Sequence, residues 1–304
     1  MRFGIDLGGS HVAIGLVNEY NEIVEKRTYY MNDRGNQLFE NYILSSIVHG
    51  INEILDSTKY KLSQIEKIGI ATPGNPQNGI IKNIVNLGIG ELNLEKKLKN
   101  ALGVDIDVKV GNDGKCAALA EKKYGSLKEY EDCIFLCIGT GIGGAAFING
   151  HLLEPKRNPG FEIGHIIIKK DGEKCKCGNC GCFEVYCSKR KFKNQMQEIL
   201  GINEYISAVE LTKVIKDNIS DVRVSRLLEE YIDNLSIGIA NIINIFEPEA
   251  ISIGGSMSHY EEVIIEKLRE KINNGEHLFN KENVPKILTA QAGNNAGIIG
   301  ATLI

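Results

Sequence analysis

The apolar positions of the chain follow two periods. Phe3–Leu7 and Val12–Val17 are short apolar runs split by a glycine-bearing turn, and Asn18–Glu19–Tyr20–Asn21 makes a second turn before Ile23 and Val24. This predicts a strand meander beginning at residue 2. From Gln37 to Leu55 the period lengthens, with Leu38, Tyr42, Ile43, Ile47, Ile51 and Ile54 recurring at three- and four-residue spacing, which predicts an amphipathic helix. Lys67–Ala71 reads as a strand entering the sharp turn Thr72–Pro73–Gly74–Asn75–Pro76. Val108–Val110 is another, stopped by Gly111–Asn112–Asp113 ahead of a helix containing Ala117–Ala120.

The outline then restarts. Cys133–Ile138 is apolar and runs into Gly139–Thr140–Gly141–Ile142–Gly143–Gly144, followed by Ala145–Ile148 and the turn Asn149–Gly150. Strand, glycine-rich hairpin with a hydroxyl, strand and Asn-containing turn repeat the first meander, so the halves read as distant duplicates. A loop-rich stretch bearing cysteines, Glu154–Ser188, interrupts the second half. Leu227–Phe246 predicts a strong helix through Leu228, Ile232, Leu235, Ile239, Ile242 and Ile243, ending before Pro248. Ile251–Ile253 predicts a strand entering Gly254–Gly255–Ser256, and the apolar, Ala/Gly-rich tail Ala290–Ile304 a packed terminal helix. The expected architecture is two α/β lobes with a cleft between them. The expected boundaries are 1–125 for the first lobe, 126–289 for a larger second lobe, and 290–304 for a tail returning to the first.

Composition narrows the partners. The 304 residues carry a formal charge of −4, so no bulk attraction to nucleic acid or an anionic membrane is expected. The basic run Lys189–Arg190–Lys191–Phe192–Lys193 reads as a solvated face. The N-terminus, MRFGIDLGGS, lacks the pattern of a signal peptide, and no stretch approaches the ~20 apolar residues that span a bilayer. A cytoplasmic protein with reduced or metal-bound cysteines is expected. Of eight cysteines, Cys116, Cys133 and Cys137 read as small buried hydrophobes, while Cys175, Cys177, Cys180, Cys182 and Cys187 crowd one loop.

Three glycine-bearing turns follow predicted strands: Asp6–Leu7–Gly8–Gly9–Ser10, Gly139–Gly144 and Gly254–Gly255–Ser256. Glycines let backbone N–H groups approach phosphate oxygens, Ser10 and Thr140 add hydroxyls, and Asp6 suits a hydrated Mg²⁺. The 33 glycines of the chain are read partly through these turns. Residues 139–144 formally satisfy G-x-G-x-x-G, but a strand and turn follow where a dinucleotide site needs a helix. His165 with three thiolates from the cysteine loop suits a closed tetrahedral Zn²⁺ site, and a Cys₄ site using Cys175, Cys177, Cys180 and Cys182 is the alternative. Asp113, beside Asn112 at a helix start, reads either as a helix cap or as a general base for a hydroxyl attacking phosphorus. Glu162 lies three residues before His165, and Glu184 two beyond Cys182, so a metal would draw both carboxylates toward a polyol site.

Asp6–Leu7–Gly8–Gly9–Ser10, Gly139–Gly144, Glu162–Ile163–Gly164–His165 and Cys175-x-Cys177-Gly178-x-x-Gly181-Cys182-x-Glu184 together resemble the ROK family of bacterial sugar kinases and sugar-responsive repressors. The resemblance implies a two-lobed actin-like ATPase (ribonuclease H-like) fold with duplicated mixed sheets closing over ATP and sugar, and a homodimer. It implies Asp113 as catalytic base, with Gly74, Asn112, Glu162, His165 and Glu184 as sugar contacts. His165, Cys175, Cys177 and Cys182 would hold structural zinc within the loop 165–187, leaving Cys180 out. Asp6, Gly8, Gly9, Ser10, Gly139, Thr140, Gly141, Gly143 and Gly144 would meet the phosphates, and Gly254 and Gly255 the nucleotide. The chain opens at its first predicted strand, so the DNA-binding module of the family's repressors is not expected. The implied activity is transfer of the ATP γ-phosphoryl group to a hexose, at the 6-hydroxyl of glucose or a related aldohexose. Allose, fructose, mannose and N-acetylhexosamines are the alternatives: Asn86–Leu87–Gly88–Ile89 lacks the tryptophan of many glucose-type relatives, and Glu184–Val185–Tyr186–Cys187–Ser188 is similar to a segment of allose kinases.

Overall fold

The computed structural model describes residues 1–9, 11–31, 37–74, 76–77, 79–84, 89–154 and 161–304. Ser10, Asn75 and Asn86–Gly88, all singled out in the sequence, lie outside the described residues, as does the side chain of Leu38. The chain divides into two compact units, Met1–Lys123 with Asn294–Ile304, and Tyr124–Gly293. Through the first unit run β1 (Arg2–Leu7), β2 (His11–Val17), β3 (Ile23–Tyr30), α1 (Gln37–Thr58), β4 (Lys67–Thr72), β5 (Ile80–Ile84), β6 (Ile89–Asn93), α2 (Leu94–Leu102), β7 (Asp107–Asn112) and α3 (Asp113–Tyr124). The second unit carries β8 (Cys133–Ile138), β9 (Ile142–Ile148), β10 (His151–Leu152), α4 (Phe183–Cys187), α5 (Lys189–Leu200) and α6 (Ala208–Asp217). It continues with α7 (Val222–Phe246), β11 (Ala250–Gly254), α8 (Glu266–Asn273) and β12 (Lys286–Thr289). A last short helix, α9 (Ala296–Ala301), belongs to the first unit.

Each unit is built on the same five-stranded mixed sheet. The order is β3-β2-β1-β4-β7 in one and β10-β9-β8-β11-β12 in the other. In both, two antiparallel pairings form the meander and two parallel pairings complete the sheet. The repeated outline in the sequence is therefore a repeated topology. Parallel neighbours need crossovers, supplied by α1 and α2 in the first sheet and, in the second, by the long helical insertion ending in α7 and by α8.

The cores follow from the two periods. Ile43, Ile47, Ile51 and Ile54 of α1 are fully buried and pack on Phe3, Ile5, Ile14 and Ile70 of the sheet. Tyr42 departs from that stripe: one position before Ile43, it is rotated off the buried face, is exposed, and donates its hydroxyl to the Tyr30 carbonyl. In the second unit Leu228, Ile232, Leu235, Ile239, Ile242 and Ile243 line α7 against β8 and β11.

The terminal helix is shorter than its composition suggests. The Ala290 N–H still bonds the Ile253 carbonyl, extending the sheet, and Gly293 then turns at φ +60° before α9 starts. α9 lies against β1 and β4 at very close range. A Cβ on Gly4 would stand 2.0 Å from the Ile298 carbonyl oxygen, and one on Gly69 only 1.6 Å from that of Ala301. One on Gly300 would stand 1.8 Å from the Cys116 carbonyl oxygen. Part of the glycine excess thus serves close backbone packing in addition to the turns singled out in the sequence. Among the described residues no helix is long and apolar enough to cross a membrane.

Candidate functional site

In the first unit the candidate residues gather at the carboxyl ends of adjacent parallel strands, where open α/β sheets hold ligands. Asp6 of β1 pairs in register with Ala71 of β4, and Thr72 of β4 with Asn112 of β7. Asn112 does two jobs. Its Oδ1 accepts the Lys115 N–H at 3.1 Å, capping α3, and its Nδ2 donates to the Gly74 carbonyl at 3.0 Å, tying down a turn in which Gly74 takes φ +87°. Because Asn112 supplies the cap, Asp113 does not have to. One oxygen of Asp113 accepts the Gly114 N–H at 2.7 Å.

Water reaches the Asp113 carboxyl, yet most of the volume around it is protein. That partial desolvation, with the negative charge of Asp6 adding to it, raises its pKa from the ordinary 3.8 to about 6, while the Gly114 N–H pulls the other way. Burial also raises the pKa of Asp6, against the opposing charges of His11 and Lys26. Room for the Asp6 carboxylate comes from Gly297, where a Cβ would sit 2.5 Å from Oδ2. Sequence reasoning missed Gly297; its only trace is a glycine in an apolar tail.

In the second unit residues 139–141 form the turn that joins β8 to β9, residues 142–144 open β9, and Gly254 ends the neighbouring parallel strand β11, in register with Cys137. Gly144, the last glycine of the formal dinucleotide pattern, lies inside β9 and opens no helix. The glycines of these turns have different reasons. A methyl on Gly9, Gly139 or Gly143 would meet nothing within 4 Å among the described residues, so the fold itself does not demand glycine there. Gly254 and Gly255 are demanded by the fold: a Cβ would stand 2.7 Å from the Phe135 ring and from the Ile138 carbonyl oxygen, respectively. Gly8 is intermediate, with its N–H closing onto the His11 carbonyl at 3.0 Å. Thr140 is exposed at the tip of its turn.

The cysteine loop brings four side chains together. Ligand atoms of His165, Cys175, Cys177 and Cys182 all lie within 4.8 Å of one another. Cys175 Sγ is 3.7 Å from His165 Nδ1, and Cys177 Sγ is 3.6 Å from Cys182 Sγ. Zinc–thiolate and zinc–imidazole bonds of about 2.3 and 2.0 Å set tetrahedral edges of about 3.5–3.8 Å, so the set fits that ion. Cys180 is exposed and outside the cluster, and Cys187 is fully buried in the core with its thiol pushed well above the usual range by burial. Cys116 and Cys133 are buried and Cys137 half-buried.

Long-range pairing makes the cluster. The Phe183 N–H bonds the Ile166 carbonyl at 2.8 Å and Ile167 bridges Cys182, placing His165 beside the cysteine knuckle. Gly178 and Gly181 take φ +98° and +80°, and a Cβ on Gly181 would stand 1.8 Å from the Lys169 carbonyl oxygen. Glu162 precedes the 3-10 turn Ile163–His165 and is exposed. Glu184 faces the glycine turn, accepting the Ile142 N–H at 2.9 Å. The basic run belongs to α5, where Phe192 is buried and Lys191 pairs with Glu173.

The chain is similar to known proteins along its length. The chain is 28% identical to a glucokinase of Thermotoga maritima, over 88% of this chain and 86% of that one. It is equally identical to an N-acetyl-D-glucosamine kinase of Aliivibrio fischeri (100% and 99%) and to a xylose repressor of Caldicellulosiruptor bescii (98% and 76%). The crystal structure of a ROK hexokinase from Thermus thermophilus superposes with a TM-score of 0.78 at 25% identity, covering 99% of this chain and 96% of that one. The fold is accordingly the actin-like ATPase fold. The ROK family profile matches residues 2–304, and the chain belongs to the ROK family.

Proposed function

We propose that this member of the ROK family is a carbohydrate kinase that transfers the γ-phosphoryl group of ATP to a hexose hydroxyl, with Asp113 as general base. The observation that carries the reading is Asp113 itself. Its neighbour Asn112 caps the helix, leaving the Asp113 carboxylate available, and its pKa of about 6 suits a base working near neutrality. Asp113 accepts the proton of the attacking hydroxyl as the oxygen approaches phosphorus; phosphoryl transfer otherwise asks mainly for positioning and charge neutralisation. The turns bearing Gly8, Gly9, Gly139, Thr140, Gly141, Gly143 and Gly144, with the hydroxyls of Ser10 and Thr140, are assigned to the phosphates; the N–H groups of Gly8 and Gly139 are already held by the His11 and Gly141 carbonyls, so those two residues shape the turns. The open space that a Cβ on Gly9, Gly139 or Gly143 would meet among the described residues supports this assignment. Gly254 and Gly255 are assigned to the nucleotide with less support, since packing already accounts for both. Asp6 would hold Mg²⁺, which supplies charge neutralisation of the phosphates.

Gly74, Asn112, Glu162, His165 and Glu184 are assigned to the sugar. The Nδ1 atom of His165 faces the thiols, which leaves Nε2 for a hydroxyl. His165, Cys175, Cys177 and Cys182 would hold zinc in a structural role. The substrate is glucose or a related aldohexose at its 6-hydroxyl, and the second reading is an N-acetylhexosamine, because the glucokinase and N-acetyl-D-glucosamine kinase relatives are equally similar. Allose, mannose and fructose complete the set. A cytoplasmic homodimer without a nucleic-acid partner is the accompanying proposal.

An ATP-coupled screen of kcat/KM across glucose, N-acetylglucosamine, N-acetylmannosamine, allose, mannose and fructose tests the reading. One hexose should stand at least about tenfold above the others, since hydrogen-bonded sites discriminate strongly between hydroxyl patterns. Sugar binding without phosphoryl transfer to any of them would overturn the kinase reading in favour of a regulator.

A further inference from the structure

Ile142, which opens β9 directly after the glycine turn, is held from two sides. Its N–H donates to Glu184 Oε2 at 2.9 Å. Its carbonyl oxygen lies against Gly164, where a Cβ would come within 2.2 Å. The neighbouring Gly141 must also lack a side chain, because a Cβ there would stand 2.3 Å from the same Glu184 oxygen. The two segments that grip Ile142 are joined to each other by the Phe183 N–H to Ile166 carbonyl bond at 2.8 Å. Each also carries a member of the histidine–cysteine cluster, His165 beside Gly164 and Cys182 two residues before Glu184. Behind Glu184, the Phe183 ring fills the space left by Gly238 on α7, where a Cβ would come within 2.2 Å. The helix bearing Glu184 is therefore anchored on the core.

From this clamp we infer that Glu184 is a positioning residue for nucleotide binding: its carboxylate fixes the backbone of Gly141–Ile142, and the cysteine loop acts on the nucleotide through that contact. The inference rests on the assignment of residues 139–144 to the phosphates. It differs from a sugar-contact role for Glu184 in what it predicts for nucleotide affinity without sugar. A charge-assisted hydrogen bond to a backbone N–H is among the stronger contacts available to a loop. Its loss would let the turn sample other shapes, so that binding has to select the competent one.

The test uses the full chain with zinc retained. Glu184→Ala and Glu184→Gln are compared with the native protein by amide hydrogen exchange at Ile142 and by calorimetric Kd for a non-hydrolysable ATP analogue with Mg²⁺, no sugar present. In Glu184→Ala, Ile142 exchange should accelerate and the analogue Kd rise, each by about tenfold or more. Glu184→Gln, which keeps an oxygen acceptor, should restore both to within about threefold of native. Should Glu184→Ala not fold, Gly141→Ala displaces the same carboxylate and should accelerate Ile142 exchange likewise, the readout used for this variant because Gly141 is itself assigned to the phosphates. Native exchange in either alanine variant, native Kd in Glu184→Ala, or a glutamine variant as impaired as alanine, would overturn the inference. Failure of the native protein to bind the analogue would instead overturn the kinase reading, while the Ile142 exchange result still reports on the clamp.

Discussion

Replacing Asp113 by asparagine preserves the size of the side chain and removes its titration, so activity and stability should change in opposite directions. With a pKa of about 6, the native carboxylate is about nine-tenths ionised at pH 7 and about one-tenth at pH 5. The acid limb of kcat/KM should therefore have its midpoint near pH 6, and turnover by Asp113→Asn should be lower by about 10²–10⁴-fold. For stability, the folded carboxyl holds its proton up to about pH 6, whereas the unfolded one releases it near 3.8. Between those values the folded state binds more protons, so this group costs progressively more stability as pH rises through the window and a constant amount above it. A shift of about two units corresponds at most to about 3 kcal/mol, and because water reaches the carboxyl we discount this to about 1 kcal/mol. Urea melts of both proteins from pH 4.5 to 8 should show the advantage of Asp113→Asn growing up to about pH 6 and then levelling. An acid limb near pH 4, or a stability difference independent of pH, would refute the argument that desolvation and Asp6 set the properties of Asp113.

Elemental analysis of freshly purified protein should find about one zinc per chain, and Cys182→Ser should lower both zinc content and the thermal midpoint; full activity and stability without zinc would exclude a structural metal. Gly69→Ala should cost about 2 kcal/mol or more in a denaturant melt, because its methyl would collide with the Ala301 backbone 1.6 Å away, and an unchanged melt would show that α9 gives way easily. Tyr260→Phe should leave stability unchanged or raise it by up to about 1 kcal/mol, since the buried Tyr260 hydroxyl has no hydrogen-bond partner among the described residues; a loss above that would reveal a further hydrogen bond.

Much of the fold was legible because it is local. The apolar runs of β1, β2 and β8 and the stripe of α7 follow periods that a linear sequence displays, and the repeated meander announced the duplicated sheet. The antiparallel pair β5–β6 was not read, for it lies in a stretch of mixed polarity with short strands. The end of the chain misled for a different reason. Its small apolar residues suit a helix, but Ala290 is claimed by the sheet and Gly4, Gly69 and Gly300 make sense only once α9 lies on the strands. The cysteine spacing left two ligand sets open, and the pairing of Phe183 with Ile166 is what brings His165 in place of Cys180. The hydrogen bond from Ile142 to Glu184 spans 42 residues and has no local signature at all.

The most direct test of the central claim is a single-turnover experiment with γ-labelled ATP, Mg²⁺ and the preferred hexose, comparing the native protein with Asp113→Ala. The account predicts label transferred to the sugar by the native protein. In the variant the rate should fall by about 10²-fold or more while calorimetry still detects the sugar. Transfer at a near-native rate by Asp113→Ala, or no labelled sugar from the native protein with any hexose, would contradict it.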